Sequence, residues 1–132
     1  MARRKVAGKP MIGFLFETDP ALLGEVSAAE RRRAFAILDQ ILPISRRWRG
    51  MLNDAKLAGH PEQVDLSRLR VPMLLLSAAD DRFRTASTAR AIARRVPGSR
   101  LVIYPTGGHI FLGKTARVRG CNRGFSPRSS AP

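Results

Sequence analysis

The sequence is poor in the residues on which several classes of protein depend. Its 132 residues include one cysteine, Cys121, one tryptophan, one tyrosine and two histidines. A single cysteine cannot form an internal disulfide, and with no second cysteine and no histidine nearby it does not suggest a metal site. No apolar run approaches the roughly 18 residues that would suggest a membrane span. We therefore predict no disulfide, no metal, no cofactor and no membrane span, and by default a cytoplasmic protein.

Acidic residues are also scarce, at 10 against 24 lysines and arginines, which gives a net charge of +14. The excess lies at the ends, because residues 1–9 and 114–132 contain basic side chains and no acidic ones. The middle of the chain is only mildly basic, and no basic run alternates with aromatic side chains. This placement disfavours nucleic acid as a partner. A small basic interaction module that binds nucleic acid or an acidic partner is the alternative interpretation of the sequence.

The pattern of residues 18–60 predicts a small layer of two helices. Ser27 and Glu30 have the spacing of a capping box, in which the hydroxyl accepts from the N–H of Glu30 and the carboxylate reaches back to Ser27 N–H. Arg31–Arg33 is expected on a solvated face. Apolar side chains recur at helical spacing in both segments, which favours core packing over a substrate pocket beside Trp48. The first stripe is Phe35, Leu38 and Leu42; the second is Ile44, Trp48, Met51, Leu52 and Ala55, ended by Gly59 and Pro61.

Residues 65–113 predict a strand, a helix and a second strand. The apolar runs 71–76 and 101–104 are short and unbroken, which is typical of strands buried on both faces of a parallel sheet. Thr85 is placed to cap the helix between them, whose apolar face is Ala89, Ile92, Ala93 and Val96. The pattern predicts an α/β fold with a parallel crossover, so both strands end at the same edge of the sheet. Ligand sites of open parallel sheets lie at that edge.

Polar side chains with catalytic potential follow both predicted strands. Asp80 and Asp81 come after the first strand, and His109 comes after the second, behind two glycines. A carboxylate can orient an imidazole, which then takes a proton from a serine hydroxyl. The alternative is ordinary turn chemistry, which aspartate and glycine favour and which is the preferred interpretation of Asp80.

These two segments resemble the α/β-hydrolase superfamily. Residues 71–83, with Val-Pro, an apolar run and an aspartate, are similar to its strand and acid loop, although Ser77-Ala78 replaces the common His-Gly. Residues 97–109 are similar to its histidine loop. The resemblance implies a C-terminal core unit at 65–113, a cap or lid remnant at 18–64 and an N-terminal segment at 1–17. It further implies a serine hydrolase for an ester or similar carbonyl compound as small-molecule substrate, with Asp81 as the acid and His109 as the base.

The chain also departs from that family. It contains no Gly-x-Ser-x-Gly sequence, which carries the nucleophile ahead of the acid and the histidine. We therefore expect a truncated C-terminal part that is inactive alone, with its nucleophile and oxyanion donors upstream of Met1. Residues 114–132 mix Arg, Gly, Ser and Pro without an apolar period, which predicts a disordered basic tail. An incomplete sheet exposes a strand edge, through which we expect self-association.

Overall fold

The computed structural model describes residues 2–60 and 64–125, with only the backbone for residues 2–7. In this part of the chain, helices and a two-stranded parallel sheet form an α/β structure, which agrees with the predicted fold class. Two short 3₁₀ turns, Ile44–Arg46 and Leu66–Arg68, lie between these elements. In chain order the elements are α1 (Ala2–Phe16), α2 (Leu22–Glu25), α3 (Ala28–Ile41), α4 (Trp48–Gly59), β1 (Leu74–Ala78), α5 (Thr85–Arg95), β2 (Arg100–Tyr104) and α6 (Thr115–Arg123).

The two strands are parallel, with Leu74 paired to Arg100 and Ala78 paired to Tyr104. Helix α5 packs on both strands, so the predicted strand–helix–strand unit is confirmed. Ala78 and Tyr104 at the strand ends are buried, whereas residues 74–76 of β1 and 101–103 of β2 are only half-buried. The prediction of strands buried on both faces is therefore wrong for the first residues of both strands. Val71 lies outside the strand and is 63% exposed.

The main hydrophobic core lies between the N-terminal helices and the loop that follows β2. It is formed by α1, α2 and α3 together with residues 110–112, so the loop after the second strand packs into the helical layer. The predicted apolar stripe of α3 is confirmed, since Leu38 is buried and its two stripe neighbours pack against the same cluster. The buried members are Ile12, Phe16, Leu23, Ala34, Leu38, Ile110 and Leu112.

Helix α1 continues across Pro10. The sequence analysis predicted no helix in this N-terminal segment. A proline inside a helix removes a backbone hydrogen bond. Burial compensates here, because Ile12 and Phe16 are 0% and 6% exposed in the core. Gly8 lets α1 approach α3 closely: a Cβ at this position would lie 2.7 Å from the ring of Phe35.

The predicted capping box at the start of α3 is half correct. The Ser27 hydroxyl accepts from Glu30 N at 3.2 Å, as expected. The Glu30 carboxylate does not reach back, because it accepts instead from Arg33, from Gly113 N and from the Thr115 hydroxyl. The basic side chains beside it are not simply solvated either. Arg33 also donates to the carbonyl of Ile110, and Arg31 donates to the carbonyls of Leu23 and Val26.

Helix α4 contradicts the prediction of core packing for the second stripe. None of its residues is buried, and Trp48 and Leu52 are 50% and 58% exposed. Its principal contacts are with the 3₁₀ turn that precedes it. The periodicity correctly predicted a helix, but a periodic stripe becomes core only where another element covers it. Pro61, expected to end this helix, lies outside the described residues.

The predicted disordered tail is wrong for its first half. Residues Thr115–Arg123 form α6, and the Cys121 thiol of this helix lies 3.5 Å from the Tyr104 hydroxyl. That hydrogen bond, together with burial, raises the pKa of the Tyr104 phenol. Although its sequence has no apolar period, α6 is attached to the rest of the structure by Cys121, which contacts Tyr104 of β2, and by Thr115, which contacts Glu30. Residues 126–132, which belong to the same prediction, lie outside the described residues.

Candidate active site

The acid loop connects the end of β1 to the start of α5 and carries Asp81, which is 5% exposed. Its Oδ1 accepts from Phe83 N at 3.0 Å, and its Oδ2 accepts from the Thr85 hydroxyl. Thr85 therefore binds the aspartate and does not cap α5, contrary to our expectation. The cap position is taken by Arg84, which has a positive φ of 60° and makes no side-chain cap hydrogen bond. These two hydrogen bonds fix the direction of the Asp81 carboxylate.

The histidine loop follows β2 and turns at two glycines. Gly107 and Gly108 have φ angles of 139° and 58°, which residues with a side chain rarely adopt. Their N–H groups donate to the two carboxylate oxygens of Asp80, at 3.1 and 2.9 Å. The structure therefore uses Asp80 to bind the backbone of the other loop, which is more than the local turn that we expected of it.

His109 lies at the meeting point of the two loops. Its Nδ1 is 3.0 Å from Asp81 Oδ2, across 28 residues of sequence. The Asp81 side chain is 2% exposed and the His109 side chain 43%, so a buried carboxylate holds an imidazole that faces the solvent. The ring of Phe83 contacts the imidazole edge to face, with centroids 4.8 Å apart. His109 is thus paired with Asp81 and not with Asp80, while a catalytic role for the pair stays a prediction.

The hydrogen bond to Asp81 determines what His109 can do chemically. A carboxylate only accepts, so Nδ1 carries the proton and Nε2 of the neutral ring keeps its lone pair. No described residue forms a hydrogen bond with Nε2. The neutral ring therefore keeps one acceptor nitrogen that no described residue occupies, on a side chain that is 43% exposed.

Sequence reasoning missed one residue of this site. Thr18, at the junction of α1 and α2, is 0% exposed, and its hydroxyl accepts from His109 N at 2.9 Å. The two residues are 91 positions apart, and a threonine after a helix carries no local signal of such a contact. Only the tertiary arrangement identifies it.

The two serines near the acid loop and the second histidine of the chain, His60, have other hydrogen-bond partners. Ser77 is 1% exposed, and its hydroxyl is 2.7 Å from that of Thr85. Ser87 bonds to the carbonyl of Arg84, and His60 lies on an exposed helix end with Nδ1 3.4 Å from the carbonyl of Lys56. None of these three side chains is a hydrogen-bond partner of His109.

Neither Asp81 nor His109 lines the following two clefts. One, of about 560 Å³, lies at the opposite end of the strands beside Arg70 and Arg100, and the other, of about 320 Å³, lies between α2, α3 and the loop after β2. Within residues 2–60 and 64–125, no three His, Cys, Asp or Glu side chains come together as metal ligands. No helix in the described part is both long and apolar enough to cross a membrane.

Comparison with known proteins gives one partial similarity. A curated protein of Klebsiella pneumoniae, described as "Putative carbamate hydrolase RutD", is 44% identical over 52 residues. The matched stretch covers 36% of this chain and 20% of that protein, so the chain spans only about a fifth of the relative's length. No protein-family model matches the chain. No solved structure matches it either. This partial similarity agrees with the resemblance of the two loop segments to hydrolases.

Proposed function

We propose that this chain carries the acid and the histidine of a serine-type α/β-hydrolase that acts on an ester or a similar carbonyl compound. The observation that carries the proposal is the hydrogen bond between Asp81 and His109 at the carboxyl edge of two parallel strands. The partial identity to a protein described as a carbamate hydrolase supports it, because a carbamate is a carbonyl substrate of this kind.

In the proposed reaction, His109 Nε2 takes the proton of a serine hydroxyl as that oxygen attacks the substrate carbonyl. The buried Asp81 keeps the proton on Nδ1 and stabilises the imidazolium that forms. His109 then returns the proton to the leaving group, which departs and leaves the acyl group on the serine. Water, deprotonated by the same Nε2, attacks this acyl-serine, and the proton returns to the serine as the acid is released. The edge-on contact with Phe83 and the hydrogen bonds on Asp81 hold both groups in this geometry.

The nucleophile is proposed to come from outside the 132 residues. The sequence has no Gly-x-Ser-x-Gly. Ser77, at the end of β1, is buried, and its hydroxyl is hydrogen-bonded to that of Thr85. Donors for the oxyanion, which stabilise the tetrahedral intermediate, would accompany that nucleophile. We propose accordingly that the chain alone does not hydrolyse esters by this mechanism.

A chimera tests the roles of the two residues. Residues 65–113 replace the corresponding segment of the Klebsiella relative, and turnover of p-nitrophenyl ester and carbamate substrates is measured. We expect the folded chimera to be active, and His109→Ala or Asp81→Asn to lower kcat by about 10³- to 10⁴-fold. Asp65→Asn is the matched control, because Asp65 is exposed and its carboxylate accepts hydrogen bonds from Ser67.

A folded, active chimera whose kcat is independent of His109 and Asp81 would refute the proposal. The isolated chain is assayed in parallel with the same substrates. Turnover there that disappears in His109→Ala would show that the nucleophile lies within these 132 residues, against our expectation.

A further inference from the structure

The backbone of the histidine loop is held by side chains from two other parts of the chain. Three successive N–H groups, of Gly107, Gly108 and His109, donate to side-chain oxygens. Asp80 accepts the first two and Thr18 accepts the third. Backbone donors in a loop are ordinarily satisfied by water or by neighbouring carbonyls. Three consecutive donors bound to two side chains leave this loop little freedom to move.

Thr18 is suited to this contact by its burial and its complete hydrogen bonding. Its hydroxyl is 0% exposed, donates to the carbonyl of Phe16 at 2.9 Å and accepts from His109 N at 2.9 Å. The Phe16 bond orients the hydroxyl proton away from the histidine, so the oxygen lone pair faces His109 N–H. Gly108 packs directly on Thr18, since a Cβ there would lie 2.4 Å from the threonine methyl.

The same junction also contacts the acid loop. The carbonyl of Glu17 accepts from Arg82 N at 3.2 Å, and Asp19 forms an exposed ion pair with the Arg82 side chain at 3.6 Å. Residues 17–19 therefore bind the loop of Asp81 on one side and the loop of His109 on the other. The exposed ion pair contributes little by itself; the backbone bond from Arg82 and the buried threonine provide the attachment.

We propose that Thr18 and Asp80 are positioning residues for His109, which hold its backbone so that Nδ1 meets the carboxylate of Asp81. This inference rests on the proposed function, because it concerns how the same acid–histidine pair is held. The His109 side chain is 43% exposed; among the described residues its ring hydrogen-bonds to Asp81 and packs edge to face with Phe83. Its position therefore depends on the backbone, and a displaced backbone opens the Nδ1 to Oδ2 hydrogen bond.

The test is made on the whole chain labelled with ¹⁵N at its two histidines. The ring ¹⁵N shifts and the hydrogen exchange of the Nδ1 proton report the Asp81–His109 bond directly, and His60 serves as an internal reference. Thr18→Val keeps the shape of the side chain but removes the acceptor. We expect exchange of the His109 Nδ1 proton to become about fivefold faster, the factor that corresponds to one net hydrogen bond, while the His60 signals stay unchanged.

Thr18→Ser retains the hydroxyl and is expected to restore the slow exchange. Asp80→Asn keeps one acceptor oxygen and loses the other, so it should produce the same change as Thr18→Val. Asp81→Ala removes both carboxylate oxygens, including the acceptor for Nδ1, and marks complete loss of the signal. If Thr18→Val does not fold, Asp80→Asn decides by the same measurement.

Unchanged histidine signals in folded Thr18→Val or Asp80→Asn would overturn the inference, even if those variants were less stable in urea. Because the signals report the hydrogen bond and not turnover, this result is distinct from failure of the hydrolase proposal. That proposal fails instead when the chimera hydrolyses its substrates without His109.

Discussion

At the scale of single residues, the adjacent Asp80 and Asp81 bind different partners, because their side chains point in different directions in the loop. Asp80 directs its carboxylate to the backbone of Gly107 and Gly108, whereas Asp81 directs its carboxylate to the His109 ring. The amino-acid composition alone does not distinguish Asp80 from Asp81. The two aspartates differ because Asp81 accepts hydrogen bonds from Phe83 N and the Thr85 hydroxyl. Those bonds form only when the loop has folded.

Gly108 provides a prediction at this scale. Its φ of 58° disfavours a side chain, and a Cβ would also collide with Thr18. Gly98 has a similar φ of 74° but no atom within 4 Å of a Cβ, so it is the matched control. We expect Gly98→Ala to lower the free energy of unfolding by about 1 kcal/mol and Gly108→Ala by about 3 kcal/mol or more. Urea unfolding of the two variants measures both changes; equal losses would show that the contact with Thr18 is unimportant.

At the scale of elements, α3 and α4 show that the same periodicity leads to different burial. Both helices carry apolar side chains three and four positions apart. Leu38 in α3 is 3% exposed, while Leu52 in α4 is 58% exposed. The difference comes from the neighbours, since α1 covers α3 and no helix of the described part covers the face of α4 that carries Trp48.

A pair of leucine substitutions measures this difference. Leu38→Ala is expected to lower the free energy of unfolding by about 2–5 kcal/mol, because it leaves a cavity in the core. Leu52→Ala is expected to change it by less than about 0.5 kcal/mol, because the side chain is largely in water. Both are measured by urea unfolding. A cost for Leu52→Ala close to that of Leu38→Ala would mean that α4 is packed in solution.

Glu30 links α3 to the start of α6, and this contact predicts a pH dependence. Burial acts to raise the pKa of Glu30, but hydrogen bonds from Thr115, Arg33 and Gly113 and the charge of Arg33 outweigh it, so the pKa is lowered below 4.5. A carboxyl with a lower pKa in the folded state stabilises the fold above its unfolded pKa, and this stabilisation is lost as the pH falls through the folded pKa.

We therefore expect the free energy of unfolding to fall as the pH is lowered below about 4.5, and Glu30→Gln to remove part of that fall. The measurement is urea unfolding at several pH values between neutral and acidic. Glu25→Gln controls for the loss of one negative charge on an exposed side chain. An identical pH dependence in the original chain and in Glu30→Gln would contradict the proposed contact between α3 and α6.

At the scale of the whole molecule, the sheet is small and helix α5 packs on both of its strands. Within residues 2–60 and 64–125 it has two strands, so β1 and β2 each have one edge without a neighbouring strand. Unpaired strand edges and half-buried leucines at the start of β1 favour pairing with another chain. The exposed face of α4 adds apolar surface that is accessible to a partner.

Self-association is the prediction that follows at this scale. We expect the average mass measured by light scattering to rise with protein concentration. Leu74→Lys places a charge at the partly exposed start of β1 and should reduce the association. Leu57→Lys places a charge on the exposed helix α4 and shows whether the association uses the face of this helix instead of the strand edge. A monomer at every concentration would disprove the prediction.

The sequence by itself determined the elements whose signals are local. The cap at Ser27, the stripe of α3, the two apolar runs of the strands and the helix between them depend on side chains within a few residues of one another. The order of these elements also predicted that an acid loop and a histidine loop follow neighbouring parallel strands. Periodicity and chain order are properties of the sequence alone, and they were sufficient for this part.

Only the tertiary structure decided which surfaces are covered and which groups meet. The helical continuation of α1 through Pro10, the exposure of α4 and the formation of α6 all depend on elements distant in the chain. The use of Asp80 to bind the N–H groups of Gly107 and Gly108, and the contact from Thr18 across 91 residues, depend on loop directions set by those elements. Burial and hydrogen bonding between distant residues arise from packing, so no local pattern of side chains can specify them.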